Sequence, residues 1–203
     1  MYSLPPSTAI SKPLYKKAIF EKFTLKAAER ERFDADISRI TLVAHISSAT
    51  VPALAEGKDI KGFYVLQVEL KRREYDSRNI MLLQKLIPQQ MVFAMQYEGL
   101  TQLCVFHTRL QQSAWKPTDE VELPLRGLSL DEVWLHIVAT VGGLDSEAET
   151  SLEEQIVSRE QRERLLQQIA QLEKRCRAEK QTHRRYELHQ QIVKLKERLE
   201  GKV

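Results

Sequence analysis

Glu69 and Lys71 stand two residues apart at the end of an apolar run, GFYVLQVELKRREYD (62–76), with Arg72 and Arg73 directly after them. Residues two apart on a strand share one face. A carboxylate and an ammonium so placed form the Glu-x-Lys half-site of a metal-dependent nuclease: the acid holds Mg²⁺ and the lysine positions or activates the attacking water. Gln67 shares their face on this reading. The chemistry needs a further acidic ligand on a neighbouring strand. The nearest upstream acids, Glu56 and Asp59, fall in a predicted turn, and Glu31, Asp34 and Asp36 fall on the preceding helix, where nothing singles one out. Glu-x-Lys is also a common ending for a half-exposed strand, and that reading ranks first.

The second constellation is basic. Arg175, Arg177, Lys180, Arg184 and Arg185 cluster with His183, and only Glu179 offsets them. Such a cluster can attract phosphates without reading sequence, although charged flanks also keep helical hairpins soluble. Other chemistries find no support. The five histidines and the two cysteines, Cys104 and Cys176, show no metal-ligand spacing. Ser7-Thr8 and Ser47-Ser48 lack a base nearby, and no glycine-rich loop could cradle a nucleotide's phosphates. Trp115 and Trp134 read as core or rim packing.

The elements that must position these residues follow from periodicity. Pro5, Pro6 and Pro13 mark residues 1–13 as an extended arm. KKAIFEKF predicts a short helix. LKAAERERFDADISRI predicts a second, with Leu25, Ala28, Phe33, Ile37 and Ile40 on its apolar side. ITLVAHI reads as a strand and TVPALA as a weaker edge strand. In IKGFYVLQVELKR, alternation puts Tyr64, Leu66, Val68 and Leu70 opposite Val65, Gln67, Glu69 and Lys71. SRNIMLLQKLIP predicts a helix, and MVFAMQYEGLTQLCVFHTRL a hairpin turning at Glu98-Gly99. SLDEVWLHIVATVGG carries Ser129 and Glu132 as a capping box and Gly142-Gly143 as a stop. The order predicts an α+β domain over 14–143, a mixed or antiparallel sheet with one layer of helices.

A linker over 144–158 precedes a different regime over 159–203. Leu165, Ile169, Leu172 and Cys176 are spaced 4, 3, 4, and Leu188, Ile192, Leu195 and Leu199 repeat that spacing out of phase. Either the helix breaks near Lys180–Arg185 and folds back as an antiparallel coiled-coil hairpin, or one long helix carries a phase shift and needs a partner chain. The hairpin ranks first, although no Gly or Pro marks the turn. The chain carries 31 Lys+Arg and 28 Asp+Glu, net +3, and that excess lies wholly after residue 148. Free cysteines, no signal-peptide pattern and no long apolar run predict a cytoplasmic protein without a membrane span.

On LPPSTAISKPLYKKAIFEKF, FYVLQVELKRREYD, KLIPQQMVFAMQYEGLTQLCVFHT and LEKRCRAEKQTHRRYELHQQIVKLKERLE, the chain resembles the bacterial family called domain of unknown function 4391. The resemblance implies an association with mobile and defence-type gene clusters, and so a helicase or a DNA methyltransferase as protein partner. Where that pattern has Lys-Ser-Thr after Leu-Pro, this chain has Pro6-Ser7-Thr8.

The reading that ranks first is a non-catalytic accessory or assembly subunit of a DNA-handling or defence-type system, needing no cofactor. Its coiled coil docks a partner or a second copy, and its basic surface holds nucleic acid. The alternative is a divergent Mg²⁺-dependent nuclease using Glu69 and Lys71, with Glu56 or Asp59 as the missing ligand.

Overall fold

The computed structural model describes residues 2–85, 88–145 and 150–200. Two compact units divide the chain, Met1–Ala148 and Glu149–Val203.

The first unit is built on one mixed sheet, with seven strands among the described residues. Strand β1 (Ala9–Pro13) lies at the edge beside β2 (Ile37–Ser47), which pairs antiparallel with β3 (Gly62–Leu70). β3 runs parallel to β4 (Gln90–Tyr97), and β4 turns back on β5 (Leu100–Phe106). Two short strands, β6 (Leu110–Gln112) and β7 (Lys116–Pro117), finish the far edge beside β5. The parallel pair needs a crossover, supplied by α3 (Arg78–Gln84).

Sequence and structure agree most closely where turn chemistry is strongest. Glu98 and Gly99 both take positive φ, 45° and 80°, the conformation a two-residue hairpin demands. Helix α4 (Leu130–Gly142) starts at Ser129, whose hydroxyl accepts from the Glu132 N–H, and stops at Gly143 with φ 60°. Within the extended arm, residues 9–13 pair with β2 as a strand. Two expectations change. The second helix, α2 (Ala27–Asp36), stops short of Ile37 and Ile40, which open β2 instead; β-branched side chains pack well on a pleated surface. TVPALA forms no strand. Thr50 Oγ1 accepts from the Ser47 N–H at 2.9 Å and donates to His45 O at 3.0 Å, so local side-chain bonds coil the chain there.

Alternation along β3 divides the core. Leu66, Val68 and Leu70 join Phe33 of α2, Ile80 and Leu83 of α3, and Ile19 of α1 (Lys16–Lys22). On the other face Phe63 meets the ring of Trp134, which is 1% exposed, at 5.5 Å. Helices therefore cover both faces, not one. The loop before β3 is clasped to α4: Asp131 accepts from the N–H groups of Lys58, Asp59 and Ile60 at 2.6, 3.2 and 2.7 Å. These backbone donors, Ile60 first, hold its carboxyl below the usual range.

In the second unit, α5 (Leu152–Ala178) and α6 (Thr182–Glu200) pack on each other as a hairpin. α5 starts at a capping box, with Ser151 and Glu154 bonding each other's N–H, and already covers 152–158, where a linker is predicted. Ser146 to Glu149 of that stretch lie outside the described residues. The turn uses neither Gly nor Pro. Glu179 is extended (φ −77°, ψ 126°) and its carboxylate accepts from the Gln181 N–H at 2.9 Å.

Candidate functional site

β3 ends at Leu70, so strand alternation governs Glu69 but not Lys71. The two side chains part company. Glu69 faces Arg39, its register partner on β2, at 3.2 Å. Lys71 reaches instead to the end of α2, where Nζ donates to Asp34 O at 2.6 Å. A cation there satisfies a helix carbonyl that has no partner within the helix. Gln67 does share the Glu69 face, and its Oε1 is buried with no hydrogen-bond partner among the described residues.

Glu56 and Asp59 are not brought to Glu69. They lie before the first residue of β3, while Glu69 is seven residues along it, about 23 Å at strand rise. Glu56 pairs with Lys61 at 3.7 Å and accepts from Ser48. Among the described residues, no three His, Cys, Asp or Glu side chains group closely enough to hold a metal ion.

The best-organised polar site at this end of β3 belongs to Asp36, the last residue of α2, which is 0% exposed. Its Oδ1 accepts from Arg72 Nε at 2.7 Å. Its Oδ2 accepts from the Asp76 N–H at 2.9 Å and from Asn79 Nδ2 at 2.8 Å. Its carbonyl takes the Lys71 N–H at 2.8 Å. One buried carboxylate thus ties the end of β3, the loop 71–77 and the start of α3 to α2. Beside it, Asp76 accepts from Arg78 Nε through both oxygens at 3.0 Å and faces Arg32 at 3.5 Å. The Arg78 hydrogen bonds hold the Asp76 carboxyl down at about 2. Lys16, bonded to Asp34 at 2.6 Å, likewise depresses that carboxyl.

Sequence pattern offers Asp36 only as one of three helical acids. Its distinguishing signal is position: it sits between Phe33 and Ile37, both fully buried, and an acid flanked by core residues must find donors. The pairing of Arg73 with Trp115 leaves no sequence signal at all. The Arg73 guanidinium lies 5.7 Å from the Trp115 ring centroid, a contact between residues 42 positions apart.

The basic cluster of the second unit lies around the turn between α5 and α6. Arg175 and Arg177 occupy the last turn of α5, Lys180 the connecting turn, and Arg184 and Arg185 the first turn of α6; all five are exposed. Arg177 reaches Glu173 only at 3.9 Å. Among the described residues the other four have no carboxylate within 4 Å. Of the predicted seam, Ile169 and Ile192 are buried, at 6% and 5% exposed. Leu165, Leu172, Leu188, Leu195 and Leu199 are half-buried. Cys176 Sγ lies 3.6 Å from Arg185 O, and Lys196 bridges to Glu173 at 2.9 Å, which holds the Glu173 carboxyl low.

No helix among the described residues is long and apolar enough to cross a membrane. No curated protein and no solved structure matches the chain. A family model does, over residues 3–199, described as Domain of unknown function (DUF4391). That span takes in the sheet, the Asp36 cluster and both hairpin helices, and the chain belongs to this family.

Proposed function

We propose that this chain is a non-catalytic assembly subunit that holds nucleic acid through the tip of its C-terminal hairpin and carries a protein partner. The observation that supports it is the tip itself, where four exposed cations have no carboxylate partner among the described residues. Basic side chains in the first turn of α6 also oppose the helix dipole, a cost that a bound polyanion would reverse. Contacts of this kind are electrostatic, sequence-tolerant and salt-dependent.

The partner surface is the hairpin, read as a short coiled coil whose seam runs through Leu165, Ile169, Leu172, Leu188, Ile192, Leu195 and Leu199. The seam is occupied within one chain, so a homodimer needs a further face, for which Leu166 and Val193 are exposed. A helicase or DNA methyltransferase in a bacterial, defence-type setting is the partner class that family resemblance implies. The deciding experiment is fluorescence anisotropy with DNA and RNA at several salt concentrations. Arg184→Glu with Arg185→Glu should abolish most binding and reduce the salt slope by about 2. An unchanged affinity in that variant would sink the reading.

The nuclease reading keeps one favourable observation: the buried, unpartnered Gln67 Oε1 on the Glu69 face. Mg²⁺ binds through one or two carboxylates plus water and substrate phosphates, so Glu69 would be its protein ligand. Cleavage of DNA or RNA with Mg²⁺ or Mn²⁺, lost in Glu69→Ala, would reverse the ranking.

A further inference from the structure

The run Lys71, Arg72, Arg73, Arg78 lies past the carboxyl end of β3. Most of its charge is spoken for. Lys71 is bonded to the end of α2, Arg72 to Asp36 and Arg78 to Asp76. Arg73 is the exception. It is exposed, has no carboxylate within 4 Å among the described residues, and sits over the half-buried Trp115. Lys116, next in the chain, is likewise exposed and without such a partner.

The loop does not need Arg73 to hold its shape, because Asp36 already anchors it through Arg72, the Asp76 N–H and Asn79. The aromatic floor is also set independently. Tyr75 meets Trp115 edge-on, with centroids 6.4 Å apart. The Tyr75 hydroxyl lies 2.7 Å from Gln102 Oε1 and accepts from Gln112 Nε2 at 2.8 Å. Burial raises its pKa well above the ordinary value, so it stays a neutral phenol. An indole held edge-on by Tyr75, with a guanidinium over it that no carboxylate among the described residues neutralises and a second cation alongside, suits an unpaired base and its phosphate, since bases stack on aromatic rings and on arginine planes alike.

We infer that Arg73 and Trp115, flanked by Lys116, form a stacking site for single-stranded nucleic acid on the first unit. This rests on the nucleic-acid reading above and deepens it. Phosphate contacts at the hairpin tip do not distinguish strands, whereas a stacking site selects bases that are not already paired.

The test uses the full chain, a short fluorescein-labelled oligothymidylate and a duplex of equal length, read by anisotropy. Arg73→Ala should weaken oligothymidylate binding about 5- to 150-fold, the range for one lost stacking contact, and duplex binding less than about twofold. Arg73→Lys should weaken it nearly as much, because charge without a plane does not stack. Trp115→Phe, which keeps an aromatic floor, provides a second variant, with a loss smaller than that of Arg73→Ala. Wild-type affinity in Arg73→Ala, equal losses on both probes, or full rescue by lysine overturns the site. So does a wild-type chain that binds neither probe, which overturns the hairpin-tip reading as well. Loss confined to the tip variant, with Arg73→Ala unaffected, overturns this site and leaves the earlier reading standing. Loss in Arg73→Ala with the tip variant intact does the reverse.

Discussion

Two basic runs of similar density, residues 71–78 and 175–185, come to opposite ends. In the first, each cation but Arg73 is bonded to an acid or a helix carbonyl, and the fold turns on a buried carboxylate at its centre. In the second, the lysine and arginines project from a hairpin tip into solvent, and among the described residues only Arg177 of these five approaches an acid. The lesson is that charge density does not say which arginines hold the fold. Partnering does, and it depends on whether a buried acid arrives from elsewhere in the chain.

The sharpest way to break the contrast is to remove that acid. Asp36→Ala strands the buried Asn79 amide and the Asp76 N–H and frees Arg72. It should destabilise the first unit by about 3 kcal/mol, read as a lower urea midpoint by the fluorescence of Trp115 and Trp134. A loss under about 1 kcal/mol would mean water replaces the carboxylate easily. Arg72→Ala should cost less, about 1 kcal/mol, because the guanidinium is 56% exposed and partly screened.

Acid should act on the first run in the same direction. The folded Asp76 carboxyl, at about 2, lies below the unfolded value of about 3.9. Its contribution is therefore complete above about pH 4 and is lost as pH falls towards 2. Unfolding midpoints should drop across that window in the wild type and drop less in Asp76→Asn. An identical slope in both would show that solvent screens the Arg78 pair completely. The smallest effect belongs to the second run. Arg184→Ala and Arg185→Ala should leave hairpin stability within about 0.5 kcal/mol of wild type, or raise it by a few tenths as the helix dipole is relieved. Thermal unfolding followed by far-UV circular dichroism checks this, and a marked loss would place these arginines among the structural ones.

Sequence made the second unit far more legible than the Asp36 cluster. The hairpin rests on repeats within single helices, and even its phase break was informative: the turn falls at Glu179–Gln181, inside the interval where one register gives way to the next. The β4–β5 hairpin and the caps of α4 were equally plain, because turn and cap residues state their backbone geometry directly. The cluster at the end of β3 was not. Its members come from α2, the loop and α3, and only tertiary packing decides that Asp36, rather than Asp34 or Glu31, points inward. The expected shared face of Glu69 and Lys71 fails for a related reason. Spacing of two implies a shared face only while the strand continues, and β3 stops one residue before Lys71.

The turn between α5 and α6 has a consequence for handling the protein. Trypsin cleaves after lysine or arginine in peptides that can lie extended in its cleft, and helical bonds deny that shape to most of the hairpin's basic residues. Lys180, exposed between the extended Glu179 and Gln181, whose N–H donates to the Glu179 carboxylate, meets the requirement. A first nick there should leave two fragments that separate on a denaturing gel yet remain associated natively, clipped together by the seam around Ile169 and Ile192. An oligonucleotide lying on the tip should slow that cut, so the rate of nicking becomes a label-free footprint of whatever the hairpin holds.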